Sequence, residues 1–580
     1  MLRRFSAWLA YALCVVALIG LSGCLDSEAE GAALSTPATA LPPVTRSAVE
    51  RVDPHQTPIP PPVTRSALLD IRERGLLRAG VLYSYPPFGF LTHDGTVQGY
   101  EAELMRRIAE QWGVQVEFVQ VTRQTRLPML NRGQIDVIAA AMPHRRELEA
   151  MVEFSDTTFR SGYVALVMTS SGISSPAQIG EGVIGVLGTD SQTVWNIYAN
   201  RVGVAPLVEV YSSLREAEAD LQAGTIRAIV GRREQMMLAA SAVAGSSILG
   251  EFILMEPYAF AVRRGDTPLR DMINLTLQNI ATEGGLGELF TASFYGYAAD
   301  LFPTLPGDPL YDFQTFPAEI PPVESVVDRI RRGEPIRVAG LSLTADPQPF
   351  DSQPIIDGYN RAVVNEMTRR WNVPIVESPD SVGTAGLALL QAGQVDLVVG
   401  VRPERSLVGV VAFSQAYYSR GLRLIHMDDV TVYGIGDLEF RPSLAAPPVE
   451  VSEDIIRDNN SAPDVRVTES FEDALSALSS RSVYAVVGDE YALVLMAQTD
   501  DKIEIDDRRY RPANYAMALG RFDPPFLSLV NFTLQDMALD GTLDRLRQEY
   551  FSPYLPIGGT LEPFSIEVWP GDGSFLGVGQ

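Results

Sequence analysis

The sequence predicts an α/β protein that is built from two tandem copies of one module. Apolar segments typical of strands alternate with amphipathic segments typical of helices from residue 66 onward. This order predicts a sheet with helices on both faces. The same landmarks then return after about 260 residues, which indicates a duplicated domain rather than a solenoid unit. Identifying one copy therefore identifies most of the chain.

Three landmarks define the repeat. In the first copy they are Gly99-Tyr100, Gly133-Gln-Ile-Asp136 and Phe154-Ser155. In the second copy they are Gly358-Tyr359, Gly393-Gln-Val-Asp396 and Phe413-Ser414. Because the order and the spacing agree, we expect both copies to have one fold. The positions where the copies differ then indicate what each copy does.

Length and charge limit the possible functions. The chain has 580 residues, too many for a single core, so several domain-sized units are expected. Its formal net charge is −26. Binding to nucleic acid requires basic surface that neutralises phosphates, and binding to anionic lipid headgroups requires basic clusters. The composition therefore disfavours both, and no nucleic-acid partner is expected.

The first 24 residues are predicted to be an export signal. A positive pair, Arg3-Arg4, precedes an apolar run that ends at Gly20, and Leu21-Ser22-Gly23-Cys24 follows. This ending resembles a bacterial lipobox, whose cysteine (here Cys24) is lipidated. The alternative is a transmembrane anchor, for which the apolar run is short. Because Cys14 is the only other cysteine, a mature chain beginning at Cys24 has no internal disulfide or multi-thiolate metal site.

The rest of the chain divides by composition. Residues 25–65 are rich in Pro, Ala, Thr and Ser and are predicted to be an extended spacer that holds the domains off the membrane. The two modules are predicted at 66–302 and 320–556, with a linker at 303–319. Residues 557–580 form a tail rich in Gly and Pro that is too short for a further domain.

Each module is predicted to alternate helices and strands. In the first module we expect helices at Ser66–Gly75, Glu101–Trp112 and Leu127–Asn131, and strands at Leu77–Tyr83, Val114–Val119 and Ile135–Ala141. In the second we expect helices at Pro322–Arg332 and Ala362–Trp371, and strands at Ile336–Leu341 and Val395–Val399. Ligands of such sheets bind beyond the carboxyl ends of the strands.

Five motifs of the first copy resemble extracellular solute-binding proteins of family 3, the amino-acid-binding receptors of ABC importers. They are Tyr85-Pro86-Pro87-Phe88, Gly99-Tyr-Glu-Ala-Glu-Leu104, Gly133-Gln-Ile-Asp136, Phe154-Ser155-Asp156 and Ala261-Val-Arg-Arg-Gly-Asp266. The C-terminal helix of each copy, Leu269 to Phe294 and Phe526 to Phe551, fits as well. The resemblance implies tandem periplasmic-binding-protein-like modules of type II, each with two α/β lobes around a ligand cleft.

The resemblance also implies two hinge strands in each module, about which the lobes close on a ligand. In the first module they are expected near Tyr163–Met168 and Phe252–Val262. In the second they are expected near Tyr418–Ile425 and Tyr510–Leu519.

In this family an Arg binds the carboxylate of an amino acid and an Asp binds its ammonium group. The first copy has the Arg displaced, to Arg145 or Arg146, and it has Arg232 where the Asp is expected. A buried Arg without a counter-charge would repel an ammonium group. Two interpretations stay open. The first copy binds an anionic solute through these arginines, or it has lost binding and serves as a structural or docking domain.

Other elements of the family site occur in the first copy only. Tyr85 and Phe88 are expected to form an aromatic wall, or else to belong to the core. Gly188-Thr189 resembles the family's carboxylate-binding turn at a helix N-terminus. In the second copy the aromatic segment reads Pro347-Gln-Pro-Phe350, and the Gly-Thr turn is missing.

The second copy instead keeps the two charges. Arg405, at the end of Arg402-Pro-Glu-Arg405, is the candidate clamp for a carboxylate. Asp489 stands at the position of the ammonium-binding Asp. The alternatives are a solvated loop arginine and a helix N-cap. Neither copy therefore carries the whole family site.

The resemblance implies a lipid-anchored, extracytoplasmic protein that captures amino acids or related small polar or anionic solutes for an ABC permease. Two alternatives stay open. One is a sensory or docking protein with one or both clefts inactive. The other is a hydro-lyase that uses the cleft, with Glu490 as its acid or base. The histidines have no ligand or triad spacing, so no metal, no cofactor and no enzyme activity are expected.

Overall fold

The computed structural model describes residues 58–299, 302–341, 349–378, 383–460, 464–555, 561 and 564–578. The chain divides into two compact units at Val52, and the first unit lies wholly outside the described residues. The predicted lipidation site Cys24 and the first two residues of the Pro347–Phe350 segment also lie outside them. Within the described ranges, no helix has the length and apolar character needed to cross a bilayer.

Module 1 begins in its first lobe, crosses to the second and returns. The outgoing elements are α1 (Ala67–Arg74), β1 (Leu76–Val81), β2 (Ser84–Tyr85), β3 (Gly89–Leu91), β4 (Val97–Gln98), α2 (Tyr100–Trp112), β5 (Gln115–Gln120), α3 (Arg126–Asn131), β6 (Val137–Ile138) and β7 (Val152–Phe159). The second lobe contains β8 (Gly162–Met168), β9 (Val183–Leu187), α4 (Gly188–Val202), β10 (Leu207–Tyr211), α5 (Leu214–Ala223), β11 (Ala228–Arg232), α6 (Arg233–Ala242), β12 (Ser246–Ile248) and β13 (Leu254–Met255). The return comprises β14 (Tyr258–Arg263), α7 (Thr267–Thr282) and α8 (Gly285–Ser293).

Module 2 follows the same path. Its first lobe contains α9 (Val326–Arg331), β15 (Ile336–Ala339), α10 (Gln353–Trp371), β16 (Ile375–Glu377), α11 (Thr384–Gln391), β17 (Leu397–Val401) and β18 (Ala412–Phe413). The second contains β19 (Tyr418–Met427), β20 (Pro442–Ala445), α12 (Val449–Asn459), β21 (Asp464–Val467), α13 (Phe471–Ser479), β22 (Ala485–Asp489), α14 (Glu490–Ala497) and β23 (Ile503–Ile505). The return comprises β24 (Tyr510–Leu519), α15 (Pro524–Leu539) and α16 (Thr542–Phe551).

The sheets show that the modules share one topology. In module 1 the strand orders are β5-β1-β6-β14-β7 in the first lobe and β10-β9-β11-β8-β12 in the second. In module 2 one continuous sheet contains the equivalent orders, because the long hinge strands β19 and β24 pair with each other. The prediction of two tandem bilobed α/β modules is confirmed.

The predicted helices and strands are found with shifted ends. The helix α1 begins after Ser66, whose side chain accepts a hydrogen bond from the Leu68 amide, and ends at Gly75 in the left-handed region. The strand predicted at Ile135–Ala141 is shorter and comprises only Val137–Ile138. The single C-terminal helix predicted for each module is wrong. Gly284 (φ 80°) and Gly541 (φ 77°) end the first helix and begin a second one.

The chain crosses between the lobes where the hinge was predicted. In module 1 the crossings lie side by side, because the Glu256 amide donates to the Ser161 carbonyl over 2.9 Å. In module 2 the hinge strands pair directly, with Tyr418 opposite Tyr515 and Arg420 opposite Ala513.

The linker and the tail are themselves a repeat, which the composition did not indicate. Pro306-Gly307-Asp308 and Pro570-Gly571-Asp572 lie at equivalent places. The Leu305 amide donates to Gln278 of α7 over 2.8 Å, and the Trp569 amide donates to Gln535 of α15 over 3.2 Å. Each segment is therefore hydrogen-bonded to a C-terminal helix of its own module, α7 or α15. We name the two segments (303–308 and 566–572) the straps.

Candidate ligand clefts

The cleft of module 1 contains two arginines that share one carboxylate. Arg145 comes from the first lobe, and Arg232 ends strand β11 of the second lobe. The Arg145 Nε donates to Glu256 Oε1 over 2.8 Å, and the Arg232 Nη1 lies 2.7 Å from Glu256 Oε2. Glu256 lies at the hinge and is only 1% exposed. The structure therefore brings the two predicted arginines together, through a residue that the sequence did not single out.

Charge explains why Glu256 stays ionised although it is buried. Burial works to raise the pKa of the Glu256 carboxyl, but the guanidinium groups of Arg232 and Arg145 outweigh burial and hold the pKa below its usual range. Arg232 also lies over the Tyr163 ring, 4.8 Å from its centroid. Arg232 thus has a counter-charge, so the condition under which it would repel an ammonium group does not hold.

A second buried carboxylate, that of Glu234, lies in the same cleft. Its Oε1 accepts hydrogen bonds from the hydroxyls of Tyr85 (2.8 Å) and Tyr258 (3.1 Å), and its Oε2 accepts one from Ser161 (2.7 Å). Tyr85 belongs to the first lobe and Glu234 to the second, so this hydrogen bond joins the lobes across the cleft. Burial, followed by the charge of Glu234, raises the pKa of Tyr85.

The other predicted residues of module 1 have different surroundings. Phe88 is fully buried in the core of the first lobe and stacks under Tyr85, with ring centroids 5.6 Å apart. Of the two alternatives given for Phe88, a wall of the cleft or a core residue, its burial corresponds to the second. Thr189 is exposed in the first turn of α4, where no side chain caps the helix. The ligand roles of Tyr85, Phe88, Thr189, Arg145 and Arg232 stay predictions.

Module 2 also pairs the charge at the end of this strand with a hinge residue of opposite sign. Asp489 ends strand β22, at the place of Arg232 in module 1, and caps α14 by accepting from the Tyr491 and Ala492 amides. Arg420 of the hinge strand β19 donates to Asp489 Oδ2 over 2.8 Å and to Ser352 Oγ of the other lobe over 2.9 Å. In each module, then, the charge at the end of this strand is paired with an opposite charge from the hinge.

The predicted clamp Arg405 lies away from Asp489, at the face between the modules. Its Nε donates to the Gly307 carbonyl of the linker (2.6 Å), and its Nη1 donates to Asn279 Oδ1 of α7 (3.2 Å). Arg146, at the equivalent position of module 1, donates to Gln535 (3.1 Å) and Asp536 (2.8 Å) of α15. The straps follow the same symmetry, since the Pro306 carbonyl accepts from the Arg405 amide and the Pro570 carbonyl from the Arg146 amide.

A cavity of about 720 Å³ lies between the modules, where the two Phe-Ser segments approach each other. In each segment the amide after the serine donates to an asparagine side chain over 2.8 Å. The Asp156 amide donates to Asn274 Oδ1, and the Gln415 amide donates to Asn531 Oδ1. Burial raises the pKa of the Asp156 carboxyl, which lines this cavity, to about 6. The predicted clamp Arg405 lines this cavity as well.

Sequence reasoning missed Glu234, Glu256 and Arg420. Glu256 is the one charged residue of the predicted hinge segment Phe252–Val262, whereas Arg420 shares its segment, Tyr418–Ile425, with Arg423. A charged residue inside a predicted hinge strand was therefore an available signal. Glu234 follows Arg232 by two residues, at a helix start, and gave no signal of its own.

The comparisons with known proteins agree with this architecture. The family model described as bacterial extracellular solute-binding proteins, family 3, matches the chain twice, at residues 77–295 and 338–553. Together these matches cover well over half of the chain.

Individual relatives match over a length close to that of one module. The ABC transporter glutamine-binding protein GlnH of Bacillus subtilis is 28% identical over 233 residues, which is 39% of this chain and 84% of that protein. The glutamine-binding protein of Geobacillus stearothermophilus is 31% identical over 33% of this chain and 74% of its own length. A solved structure of an ancestral arginine-binding protein bound to arginine is 31% identical, with a TM-score of 0.30, and covers 38% of this chain and 99% of its own. The chain therefore belongs to the bacterial extracellular solute-binding proteins of family 3 and carries two copies of the family domain.

Proposed function

We propose that this protein captures an amino acid, or a related small polar solute, outside the cytoplasm and delivers it to an ABC permease. The observation that carries the proposal is the convergence of Arg145 and Arg232, from opposite lobes, on one carboxylate position in module 1. Two guanidinium groups from opposite lobes can hold a solute carboxylate only when the lobes are closed. Such contacts are the ones that couple binding to closure.

The surroundings of these arginines suit a zwitterion. An ammonium group needs a carboxylate nearby, and Glu234 and Glu256 lie beside Arg232 in the same cleft. The four side chains Arg145, Arg232, Glu234 and Glu256 carry no net charge together. This arrangement removes the repulsion that Arg232 alone would exert on an ammonium group. Tyr85 would supply an aromatic surface beside it.

The names of the relatives support the same solute class. Curated relatives are described as glutamine-binding, L-arginine-binding and L-cystine-binding proteins. We further propose that the chain is exported and anchored through lipidated Cys24, with residues 25–65 as a spacer. The sequence of the N-terminus supports this proposal.

A docking role for module 2 is the second candidate. Arg405, its expected clamp, holds Gly307 and Asn279 at the face between the modules. Asp489, its expected ammonium partner, is neutralised by Arg420. The Arg405 contacts favour a module that supports module 1 over one that binds solute on its own. The pairing of Asp489 does not distinguish the modules, because Arg232 is paired with Glu256 in the same way.

The hydro-lyase alternative has less support. Glu490, the candidate acid or base, accepts from the Gly421 amide (2.9 Å) and from Arg509 (2.6 Å) and is 5% exposed. A general acid or base must reach the substrate, whereas this carboxylate is bound on both sides by its own module.

The test is a titration of the whole mature protein with each standard amino acid, followed by thermal unfolding. A ligand at about 100 times its dissociation constant stabilises by roughly 2.7 kcal/mol. We expect one class of amino acid to raise the midpoint, and Arg232→Ala to abolish the effect. Arg215→Ala, which changes an exposed arginine of α5, is the matched control and should retain it. If no amino acid changes the midpoint, the proposal is wrong.

A further inference from the structure

The position of Glu256 in module 1 carries a second inference, which rests on the proposed function. Its side chain comes from the hinge and makes the same contacts that a solute carboxylate would make with Arg145 and Arg232. We propose that Glu256 is an internal ligand: its carboxylate occupies the carboxylate position of the cleft, competes with the solute and thereby determines which solutes bind.

The geometry gives Glu256 this role rather than that of an ordinary surface ion pair. Both guanidinium groups reach it from different lobes, within 2.7 to 2.8 Å. Glu256 is 1% exposed and the Arg232 side chain 18%, so this contact is largely shielded from water and salt, whereas the Arg145 side chain is 43% exposed. The Glu256 backbone is fixed at the hinge by the hydrogen bond to Ser161, and the adjacent Pro257 carbonyl accepts from the His144 amide over 2.7 Å. The carboxylate is therefore held ready beside the two arginines.

Module 2 shows that this pairing belongs to the architecture. There the strand-end residue is an acid, Asp489, and the hinge supplies a base, Arg420. Arg420 lies 6.0 Å from the centroid of the Tyr515 ring, as Arg232 lies over Tyr163. When the sign of the strand-end charge changes between the modules, the sign of the hinge charge changes with it. In each module a hinge residue thus neutralises the strand-end charge, although Glu256 lies on the returning crossing and Arg420 on the outgoing one, opposite Ala513.

The consequence is weaker binding of every solute that has a carboxylate. The solute must displace Glu256 from the arginines or share them with it. The apparent dissociation constant equals the intrinsic one divided by the fraction of molecules in which the site is free. Because a minor state of this kind is populated at about 10% or less, removing Glu256 should tighten binding of a carboxylate by about tenfold or more.

A merely structural ion pair makes a different prediction. In that case the loss of Glu256 lowers stability, since it leaves the largely buried Arg232 without its counter-charge, but it opens no position for an external carboxylate. The test therefore measures binding as well as stability.

The first experiment uses acetate as the probe. Glu256→Ala is expected to leave a gap between the arginines that acetate fills, so sodium acetate should raise the unfolding midpoint relative to sodium chloride at equal ionic strength. The wild type and Glu288→Gln, an exposed control on α8, should not respond. If folded Glu256→Ala does not respond to acetate, the internal-ligand proposal is wrong.

The second experiment uses Glu256→Gln, which keeps the shape of the side chain and decides the matter if the alanine variant does not fold. Calorimetric titration with L-glutamine and L-glutamate should show about tenfold or tighter binding than in the wild type. Equal or weaker binding overturns the proposal, even if the wild type is a receptor. Binding by the variant alone supports it and refutes a receptor role for the unaltered module 1. If neither protein binds and acetate has no effect, the proposal is overturned.

Discussion

Arg146→Ala is expected to weaken the contact between the modules more than the equivalent change Arg405→Ala does. The Arg146 side chain is 10% exposed and donates to Asp536 and Gln535. It also lies 5.0 Å from the centroid of the Phe532 ring. Among the residues that the structure describes, the side-chain hydrogen-bond partners of Arg405 are neutral, Gly307 and Asn279. The two positions are equivalent in the repeat, so they form a matched pair.

The magnitude follows from these contacts. A hydrogen bond to a charged group contributes about 1.5–3 kcal/mol when buried, and we take about 1 kcal/mol because Asp536 is 49% exposed. The bond to Gln535 adds about 1 kcal/mol and the ring contact about 0.5–1 kcal/mol. Arg146→Ala should therefore cost about 2–3 kcal/mol. Arg405 donates two hydrogen bonds from its charged guanidinium to neutral acceptors, one of them at an exposed site, so we take about 0.5–1 kcal/mol for each and about 1–2 kcal/mol for Arg405→Ala.

The assay is calorimetric unfolding of the mature chain at low salt and at 1 M salt. Both variants should lower the midpoint by a few degrees, Arg146→Ala by more. The excess should shrink at 1 M salt, because the Debye length falls to about 3 Å and screens the exposed Asp536. An unchanged midpoint in Arg146→Ala, or a larger loss in Arg405→Ala, would refute this account of the interface.

Three further predictions concern other contacts. Burial raises the pKa of Glu101 to about 7 from an ordinary 4.5, so the fold favours its protonated form. Its contribution to stability is present below pH 4.5 and is lost as pH rises through about 7, at a cost of about 3 kcal/mol. The side chain of the Glu101→Gln variant cannot ionise. In urea unfolding from pH 4.5 to 8, the free energy of unfolding of the variant should therefore rise relative to that of the wild type as pH rises. Arg420→Met leaves the carboxylate of Asp489, which is 5% exposed, without its partner and should cost about 3–5 kcal/mol in urea unfolding. Trp569→Ala removes a ring whose centroid lies 3.8 Å from that of His144 and should cost about 3–5 kcal/mol, since Trp569 is 8% exposed.

Each of these predictions has an outcome that contradicts it. A Glu101→Gln curve parallel to that of the wild type at all pH values would show that the carboxyl is not shifted. The double variant Arg420→Met/Asp489→Asn should recover part of the loss, and failure to do so would exclude charge as the cause. For the strap, Trp569→Phe should keep most of the stability, and a loss equal to that of Trp569→Ala would argue against stacking.

The sequence predicted the architecture because the architecture repeats. Two copies with the same landmarks fix the order of strands and helices, and both hinge crossings lie where they were expected. The same landmark residue can still have a different structural reason in each copy, as the landmark glycines show. Gly99 precedes a helix with φ 122°, and an added Cβ would meet the Phe88 carbonyl. Gly358 lies inside α10, where an added Cβ would meet the Tyr550 ring.

The sites were harder to predict because they depend on pairs that are distant in sequence. Arg232 and Asp489, which the resemblance placed at equivalent positions, each end a strand of their module, and their ligand roles stay predictions. Their partners, Glu256 and Arg420, come from the hinge, and sequence spacing does not reveal such pairing. The direction of Arg405 toward the other module depends on how the modules pack, which a single copy does not encode.

The most direct test of the account is calorimetric titration of the mature protein with the amino acid that gives the largest thermal shift. It should be done for the wild type, Arg232→Ala and Asp489→Ala. We predict one site per chain, lost in Arg232→Ala and kept in Asp489→Ala. Binding that survives in Arg232→Ala, or that is lost only in Asp489→Ala, would contradict the assignment of the solute site to module 1.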